Sequence, residues 1–140
     1  MCVFNGHAVA GGLLTGFAHD FRLMKKGPFV TCLSEINIGI GLTPGFSGLV
    51  KNSLDPQAAR LIVHGHKFSP EETLKLKAVD DLYTDNQELK AKIAKFAQDF
   101  APKAQHRHAL TNIKENLNME LVKKLSSVPV NEGSGRYFTG

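Results

Sequence analysis

The sequence predicts a mixed α/β fold, with short strands and helices in its first part and helices alone after them. Three observations support this fold class. A run of β-type residues at the N-terminus leads through a glycine-rich turn into apolar residues at helical spacing. Proline stands in the first turn of three candidate helices. Further along, apolar residues recur at i, i+3, i+4 and i+7, which is typical of amphipathic helices.

The first predicted element is a strand over Cys2-Val3-Phe4. The segment Asn5–Leu14 that follows it is predicted to be a glycine-rich turn that opens a helix. The first N–H groups of a helix have no partner within the helix, and glycine lets a ligand come close to the backbone. Such a turn is therefore suited to bind a developing negative oxygen.

Two further strands and three helices are predicted before about residue 84. The strands are Phe21–Met24 and Phe29–Leu33. The helices begin at Thr43-Pro44, Asp55-Pro56 and Ser69-Pro70, and Glu72 is expected to complete a capping box with Ser69. On or near the buried side of the second helix we expect Ala59, Leu61, Ile62 and Val63.

The last part of the chain is predicted to form two amphipathic helices between Asn86 and Ser127, separated at Pro102. The apolar stripes expected to pack are Leu89, Ile93, Phe96, Ala97 and Phe100 in the first helix, and Leu110, Ile113, Leu117, Leu121 and Leu125 in the second. The chain thus divides into a mixed core over 1–84, a helical region over 85–128 and a polar tail over 129–140. We expect the tail to be mobile or held by a partner.

Length and composition narrow the class of protein. A chain of 140 residues with 42% hydrophobic and 21% charged residues suits one globular domain. The net charge of +4 comes mostly from lysines, and Phe96 and Phe100 have core spacing, so we do not expect nucleic-acid binding. No apolar run long enough for a membrane span and no secretory signal is visible. Cys2 and Cys32 are expected to be reduced, partly buried thiols, which fits an intracellular compartment.

Two histidine pairs have the spacing of metal ligands without the geometry. His64 and His66, like His106 and His108, are predicted at helix ends or inside a helix, where residues i and i+2 diverge. No cysteine or acidic cluster completes a site, so no metal is predicted. His7, inside the turn, is expected to be a packed, hydrogen-bonded histidine rather than a catalytic one.

Three blocks of sequence, taken in order, carry a resemblance to a known family. The blocks are Asn5–Leu14, Phe21–Met24 with Phe29–Gly39, and Ser69–Glu72 with Ala78–Asp80. Together they resemble the crotonase (enoyl-CoA hydratase/isomerase) superfamily from about Cys2 to about Leu125. The resemblance implies the C-terminal half of a crotonase-type ββα spiral followed by C-terminal helices. It also implies that the other half supplies the first oxyanion N–H and much of the CoA-binding surface.

The resemblance implies catalytic roles for two residues. Gly11 matches a glycine whose N–H forms half of an oxyanion hole for a thioester carbonyl. Glu35 matches a catalytic glutamate of the family. Its neighbours Leu33, Ile36 and Ile38 are expected to give apolar surroundings, which suit a carboxylate to proton abstraction near neutral pH.

By the same resemblance, the turn supplies the substrate-binding positions Ala10, Gly12 and Leu14. Leu14 falls where hydratases carry a second glutamate, which the addition of water requires. Moving a double bond needs only one shuttling base, so the resemblance favours Δ3,Δ2-enoyl-CoA isomerases over hydratases. Ala10 replaces a glycine of the commoner motif, and we expect it to fit if its φ is negative.

The implied function is that of an enoyl-CoA isomerase of fatty acid metabolism, with an unsaturated acyl-CoA thioester as substrate and no further cofactor. The alternative is a catalytically inactive, crotonase-derived structural subunit of a larger assembly. Either protein needs a partner chain or the N-terminal half, and a trimer-type homo-oligomer or a heteromeric complex is expected. Family analogy indicates a mitochondrion or peroxisome, although no targeting signal is seen.

Overall fold

The computed structural model describes residues 1–127, and the predicted tail over 129–140 lies outside the described residues. The strands are β1 (Cys2–Phe4), β2 (Ala8–Val9), β3 (Arg22–Lys25), β4 (Thr31–Cys32) and β5 (Asp81–Tyr83). The helices are α1 (Gly11–Phe17), α2 (Pro44–Ser53), α3 (Pro56–Val63), α4 (Pro70–Lys75), α5 (Asn86–Phe100), α6 (Arg107–Leu117) and α7 (Met119–Ser126), with 3₁₀ turns at Glu35–Ile38 and Ala101–His106. The mixed α/β fold class is confirmed.

Within residues 1–127 the named strands pair in parallel and form two small sheets, and an isolated antiparallel bridge joins Thr31 to Phe68. One sheet has the order β1-β3-β5, and its register pairs Phe4 with Met24 and Met24 with Leu82. The other sheet pairs β2 with β4. Strand β2 was not predicted, because two residues between glycines read as part of the turn. Parallel strands must be joined by crossover connections, and here α1 and the later helices serve as those connections.

The hydrophobic core lies between the sheets and helices α1 to α4. Helix α1 lies unusually close to β1, because Gly16 faces the ring of Phe4. A Cβ built at Gly16 would fall 2.7 Å from Phe4 Cε1 and closer still to Cζ. The absence of a side chain at Gly16 therefore sets the distance between the helix and the strand.

The three predicted helix starts are confirmed by their capping bonds. The side chain of Thr43 accepts from the N–H of Phe46, and Asp55 Oδ1 accepts from two N–H groups at the start of α3. Ser69 and Glu72 form the predicted capping box. The pKa of the Glu72 carboxyl is lowered, mainly by its hydrogen bonds with Ser69.

The predicted buried face of α3 is correct only in part. Ile62 is buried together with Ala58, one helical turn before it. Leu61 and Val63, in contrast, are 37% and 39% exposed, so the prediction is wrong for these two side chains. Leu61 and Val63 lie on either side of the buried face of α3. The hydrophobic pattern alone does not show whether such flanking positions are covered.

Up to residue 127, the C-terminal region has three helices rather than the predicted two. The rings of Phe96 and Phe100 of α5 pack at a tilt against the ring of Phe21, with centroids 5.1 and 4.4 Å from it. In α6 the expected packing is absent, because Ile113 and Leu117 are 61% and 78% exposed. The periodic pattern correctly indicated helices with one apolar face, but it did not specify what would cover that face.

Helix α7 packs on α2 across two glycines. A Cβ built at Gly45 would lie 2.7 Å from Leu125 Cδ2, and one at Gly48 would lie 2.7 Å from Leu121 Cδ1. The two small residues thus allow the leucines of α7 to sit directly on the backbone of α2. None of the helices within residues 1–127 is long and apolar enough to cross a membrane.

Candidate active site at the ends of two parallel strands

The candidate site lies where β2 and β4 end side by side. Ala8 pairs with Thr31 and Val9 with Cys32, and the N–H of Ala10 donates to the carbonyl of Cys32 at 2.9 Å. Because the strands are parallel, their carboxyl ends meet at the same edge of the sheet. The turn that opens α1 follows β2, and the segment that carries Glu35 follows β4. The predicted oxyanion donor and the predicted base therefore follow neighbouring strand ends.

The turn after β2 presents two backbone N–H groups. The carbonyl of Ala10 accepts from the N–H groups of Leu13 and Leu14, at 3.0 and 3.1 Å. The N–H groups of Gly11 and Gly12 come earlier in α1, where a helix supplies no carbonyl. Both glycines are exposed, and a Cβ built on either meets no atom within 4 Å. A ligand can therefore approach these N–H groups closely.

Ala10 does not have the negative φ that the sequence led us to expect. Its φ is 53° and its ψ is −126°, in a region that side-chain-bearing residues rarely adopt. Its N–H is held by β4 and its carbonyl by α1, so the surrounding structure imposes this conformation. The turn thus stores backbone strain beside the N–H of Gly11, and such strain is commonly found at functional sites.

Ala10→Gly is expected to stabilise the protein by about 1 kcal/mol. The strain of roughly 1–3 kcal/mol would be relieved, and the greater freedom of glycine in the unfolded chain would offset about 0.4–1 kcal/mol of it. Chemical denaturation of both proteins measures the difference. The matched control is Ala18→Gly at the other end of α1, where φ is −79° and only destabilisation is expected. Equal losses in both variants would contradict the assignment of strain to Ala10.

Glu35 is the first residue of the 3₁₀ turn that follows β4, and it is partly buried. Its Oε2 atom is buried and has no hydrogen-bond partner among the described residues. A buried, unpartnered polar atom is costly in a folded protein and calls for an explanation. A carboxylate oxygen that no protein donor occupies is a candidate proton acceptor.

The surroundings of Glu35 differ from the prediction. Leu33 is buried, as expected, but Ile36 and Ile38 are 56% and 70% exposed. The prediction of an apolar environment is therefore wrong for these two isoleucines. The reason is that the chain leaves the sheet after Leu33 and turns at the surface, so residues close to Glu35 in sequence do not enclose it.

Cys32, at the end of β4, is a free and buried thiol. The pKa of the Cys32 thiol is raised, mainly by burial. The charge of Glu35 adds to this increase, and the charge of Lys67 opposes it. A buried thiol with a raised pKa is not a good nucleophile. Cys32 therefore contributes packing.

The structure separates the three predicted substrate-binding positions. Ala10 and Gly12 lie in the turn with Gly11, and Gly12 is exposed. Leu14 is 2% exposed and belongs to the hydrophobic core. A leucine at this position cannot do the work of the second glutamate that hydratases carry. That Leu14 contacts the substrate stays a prediction.

A buried pair of hydroxyl groups was missed by the sequence interpretation. The Oγ1 atoms of Thr31 and Thr73 are 2.8 Å apart, and Thr73 Oγ1 donates to the carbonyl of Ser69 at 2.7 Å. Thr31 therefore donates to Thr73, and the pair ties β4 to the start of α4. The available signal was a polar residue, Thr31, inside the apolar run Phe29–Leu33; Thr73 stands among charged residues, and its surroundings carry no such signal.

Three of the histidines considered as ligands or site residues make local contacts. His7 Nδ1 accepts from the N–H of Val30, so the predicted hydrogen-bonded role is confirmed, although the ring is exposed. His64 Nδ1 is hydrogen-bonded to the carbonyl of Arg60, and His66 packs against Phe68. The part of the chain that the structure describes holds no group of three or more His, Cys, Asp or Glu residues arranged for a metal ion.

Comparisons with known proteins agree with one another. The family model described as enoyl-CoA hydratase/isomerase matches residues 1–131. Enoyl-CoA delta isomerase 2, peroxisomal, from Arabidopsis thaliana is 37% identical over 90 residues, which cover 63% of this chain and 38% of the relative. Enoyl-CoA delta isomerase 3 from the same organism is 31% identical over 127 residues, which cover 88% of this chain and 53% of the relative.

Among solved structures, an enoyl-CoA hydratase/isomerase family protein from Pseudomonas syringae superposes with a TM-score of 0.75 at 25% identity. The match covers 87% of this chain and 52% of that protein. The chain thus spans about half the length of the solved structure, and 38% and 53% of the two curated relatives.

Proposed function

Because the chain belongs to the enoyl-CoA hydratase/isomerase family, we propose that it provides the catalytic base and one oxyanion donor of an enoyl-CoA isomerase. The substrate is an unsaturated fatty acyl thioester of coenzyme A, and no further cofactor takes part. One observation supports this proposal most directly. Strands β2 and β4 pair in register. The turn after β2 presents the open N–H of Gly11, and the segment after β4 carries the carboxylate oxygen of Glu35 that has no partner among the described residues.

The proposed chemistry is a proton shuttle between two carbons. The N–H of Gly11 donates to the thioester oxygen, and Glu35 takes a proton from the carbon next to the carbonyl. The electrons move into an enolate, whose oxygen is stabilised by hydrogen bonds to backbone N–H groups. Glu35 then returns the proton two carbons further along the chain, and the double bond has moved. No step of this reaction requires a second acid. This agrees with the presence of Leu14, a core residue, where hydratases carry a second glutamate.

The buried oxygen of Glu35 favours the enzyme over the structural-subunit alternative. A carboxylate kept partly buried without a partner destabilises the folded chain. A module retained only for packing gains nothing from such a group, whereas an enzyme uses it each turnover. The delta isomerase names of the two Arabidopsis relatives point the same way.

A complete enzyme needs surfaces beyond those of this chain. Strand β1 is at the edge of its sheet, so one of its sides has no strand partner within residues 1–127. We propose that a preceding half or a partner chain pairs there and supplies the other oxyanion N–H and much of the CoA-binding surface. A trimer-type homo-oligomer or a heteromeric complex would hold these parts together. For the compartment we propose the peroxisome, by analogy with the Arabidopsis relative, or else the mitochondrion.

The proposal is tested by an isomerase assay on the 140-residue chain, alone and combined with an N-terminal half taken from the peroxisomal Arabidopsis relative. Conversion of a 3-enoyl-CoA to the conjugated 2-enoyl-CoA is followed by ultraviolet absorbance, and light scattering gives the oligomeric state. We expect the chain alone to be oligomeric and inactive, and the combination to be active. A folded but inactive combination would favour the structural subunit, and an active monomer of the chain alone would contradict the need for a partner.

A further inference from the structure

A groove between α2 and α3 is not used by the proposed reaction. It encloses about 460 Å³, which falls in the range of small-molecule pockets, roughly 300–1,000 Å³. Its apolar lining is Leu42, Val50, Leu54, Ala59 and Val63. Val50 and Leu54 are buried core residues, so the floor of the groove is fixed by the fold rather than by mobile surface side chains.

Two cations line the same groove, one on each helix. Lys51 comes from α2 and Arg60 from α3, and neither forms an ion pair within the described residues. Within residues 1–127, no acidic residue lines the groove. The nearest carboxylate in sequence, that of Asp55, is committed to capping α3 through its bonds to two N–H groups. The groove therefore combines an apolar floor with uncompensated positive charge.

We propose that this groove binds a single-chain carboxylate amphiphile, such as a free fatty acid anion. The apolar chain lies along the floor, and the carboxylate is held by Lys51 and Arg60 through charge-assisted hydrogen bonds. The position of the charge distinguishes this ligand from the thioester of the proposed reaction. A fatty acid anion is charged directly at the end of its apolar chain, whereas the thioester carbonyl is uncharged and the phosphates of coenzyme A lie far from it. The groove is also separate from Gly11 and Glu35, since neither residue lines it.

A second copy of this chain fits the groove less well. The chain carries a net charge of +4, so a copy seated here would bring positive charge toward Lys51 and Arg60. A fatty acid anion brings a negative charge to the two cations and covers the apolar floor at the same time.

The test is calorimetric titration of the full 140-residue chain with decanoate below its micelle concentration. Decanol and decyltrimethylammonium, which have the same chain and different heads, are titrated in parallel. We expect decanoate to bind more tightly than either, and methyl NMR signals of Val50 and Val63 to shift on binding. Lys51→Gln combined with Arg60→Gln is expected to weaken decanoate binding by about tenfold or more. Ala59→Phe, which fills the groove, is expected to abolish it.

Lys90→Gln combined with Lys103→Gln is the control, because it removes two exposed charges outside the groove and should leave binding unchanged. Equal binding of decanoate and decanol, or binding that survives Ala59→Phe, would overturn the proposal. A dimer seen by light scattering and lost in Ala59→Phe, without decanoate binding, would assign the groove to a second copy. Since no readout involves turnover, the result is independent of the proposed isomerase activity.

Discussion

Glu35→Gln is expected to lower isomerase turnover by about 10²- to 10⁴-fold in the completed enzyme, which is the usual contribution of a general base. Gln keeps the size and hydrogen-bonding capacity of the side chain but cannot take a proton. Binding of the acyl-CoA should change little, so the loss should appear in kcat rather than in KM. The measurement is steady-state kinetics on the combination of chains described above.

The stability of the Glu35→Gln variant provides an independent readout. Because Oε2 of Glu35 has no partner among the described residues, removing the charge should leave the melting temperature unchanged or raise it. The matched control is Glu71→Gln, an exposed carboxylate in the first turn of α4, which should leave kcat unchanged. Full turnover in Glu35→Gln would show that another group moves the proton.

Gly16→Ala is expected to destabilise the protein by about 1–3 kcal/mol, the usual range for an overpacked core. The new methyl group would overlap the ring of Phe4, and that ring is buried and cannot swing into solvent. Helix propensity alone predicts the opposite, a gain of roughly 0.8–1 kcal/mol for alanine over glycine inside a helix. The sign of the change therefore separates the close contact from propensity. Urea denaturation measures it.

Gly12→Ala is the matched control for this prediction, because it lies in the same helix and faces open space. It is expected to be neutral or slightly stabilising. Shortening the opposing side chain in the double variant Gly16→Ala with Phe4→Leu should recover part of the loss, which a double-mutant cycle would quantify. If Gly16→Ala proved as stable as Gly12→Ala, the described distance between α1 and β1 would be wrong.

The helix starts were predictable because their determinants are local. Thr43, Asp55 and Ser69 each cap the helix that begins at the next residue, and the bond spans two or three residues of chain. A neighbouring proline adds a fixed φ. Interactions of this range are fully present in the sequence, so reading them requires no knowledge of the fold.

The candidate site was predictable in its members but not in its geometry. Gly11 and Glu35 were named from a resemblance carried by the residues around them. Gly11 and Glu35 follow neighbouring strand ends only because β2 forms, and β2 has just two residues, which were predicted to be part of the turn. So short a strand exists only because β4 pairs with it, and that pairing is a long-range interaction. The strained φ of Ala10 has the same origin, since β4 and α1 hold its two peptide groups.

The sequence by itself determined the family, the mixed α/β class and the positions where helices begin, because these rest on motifs and on bonds between near neighbours. Only the tertiary structure decided which apolar residues are covered, as the buried Ile62 and the exposed Leu117 illustrate. It also decided that the chain segments carrying Gly11 and Glu35 leave the same sheet edge. Burial and strand pairing depend on what the rest of the chain brings alongside, and a periodic pattern indicates a face without naming its partner.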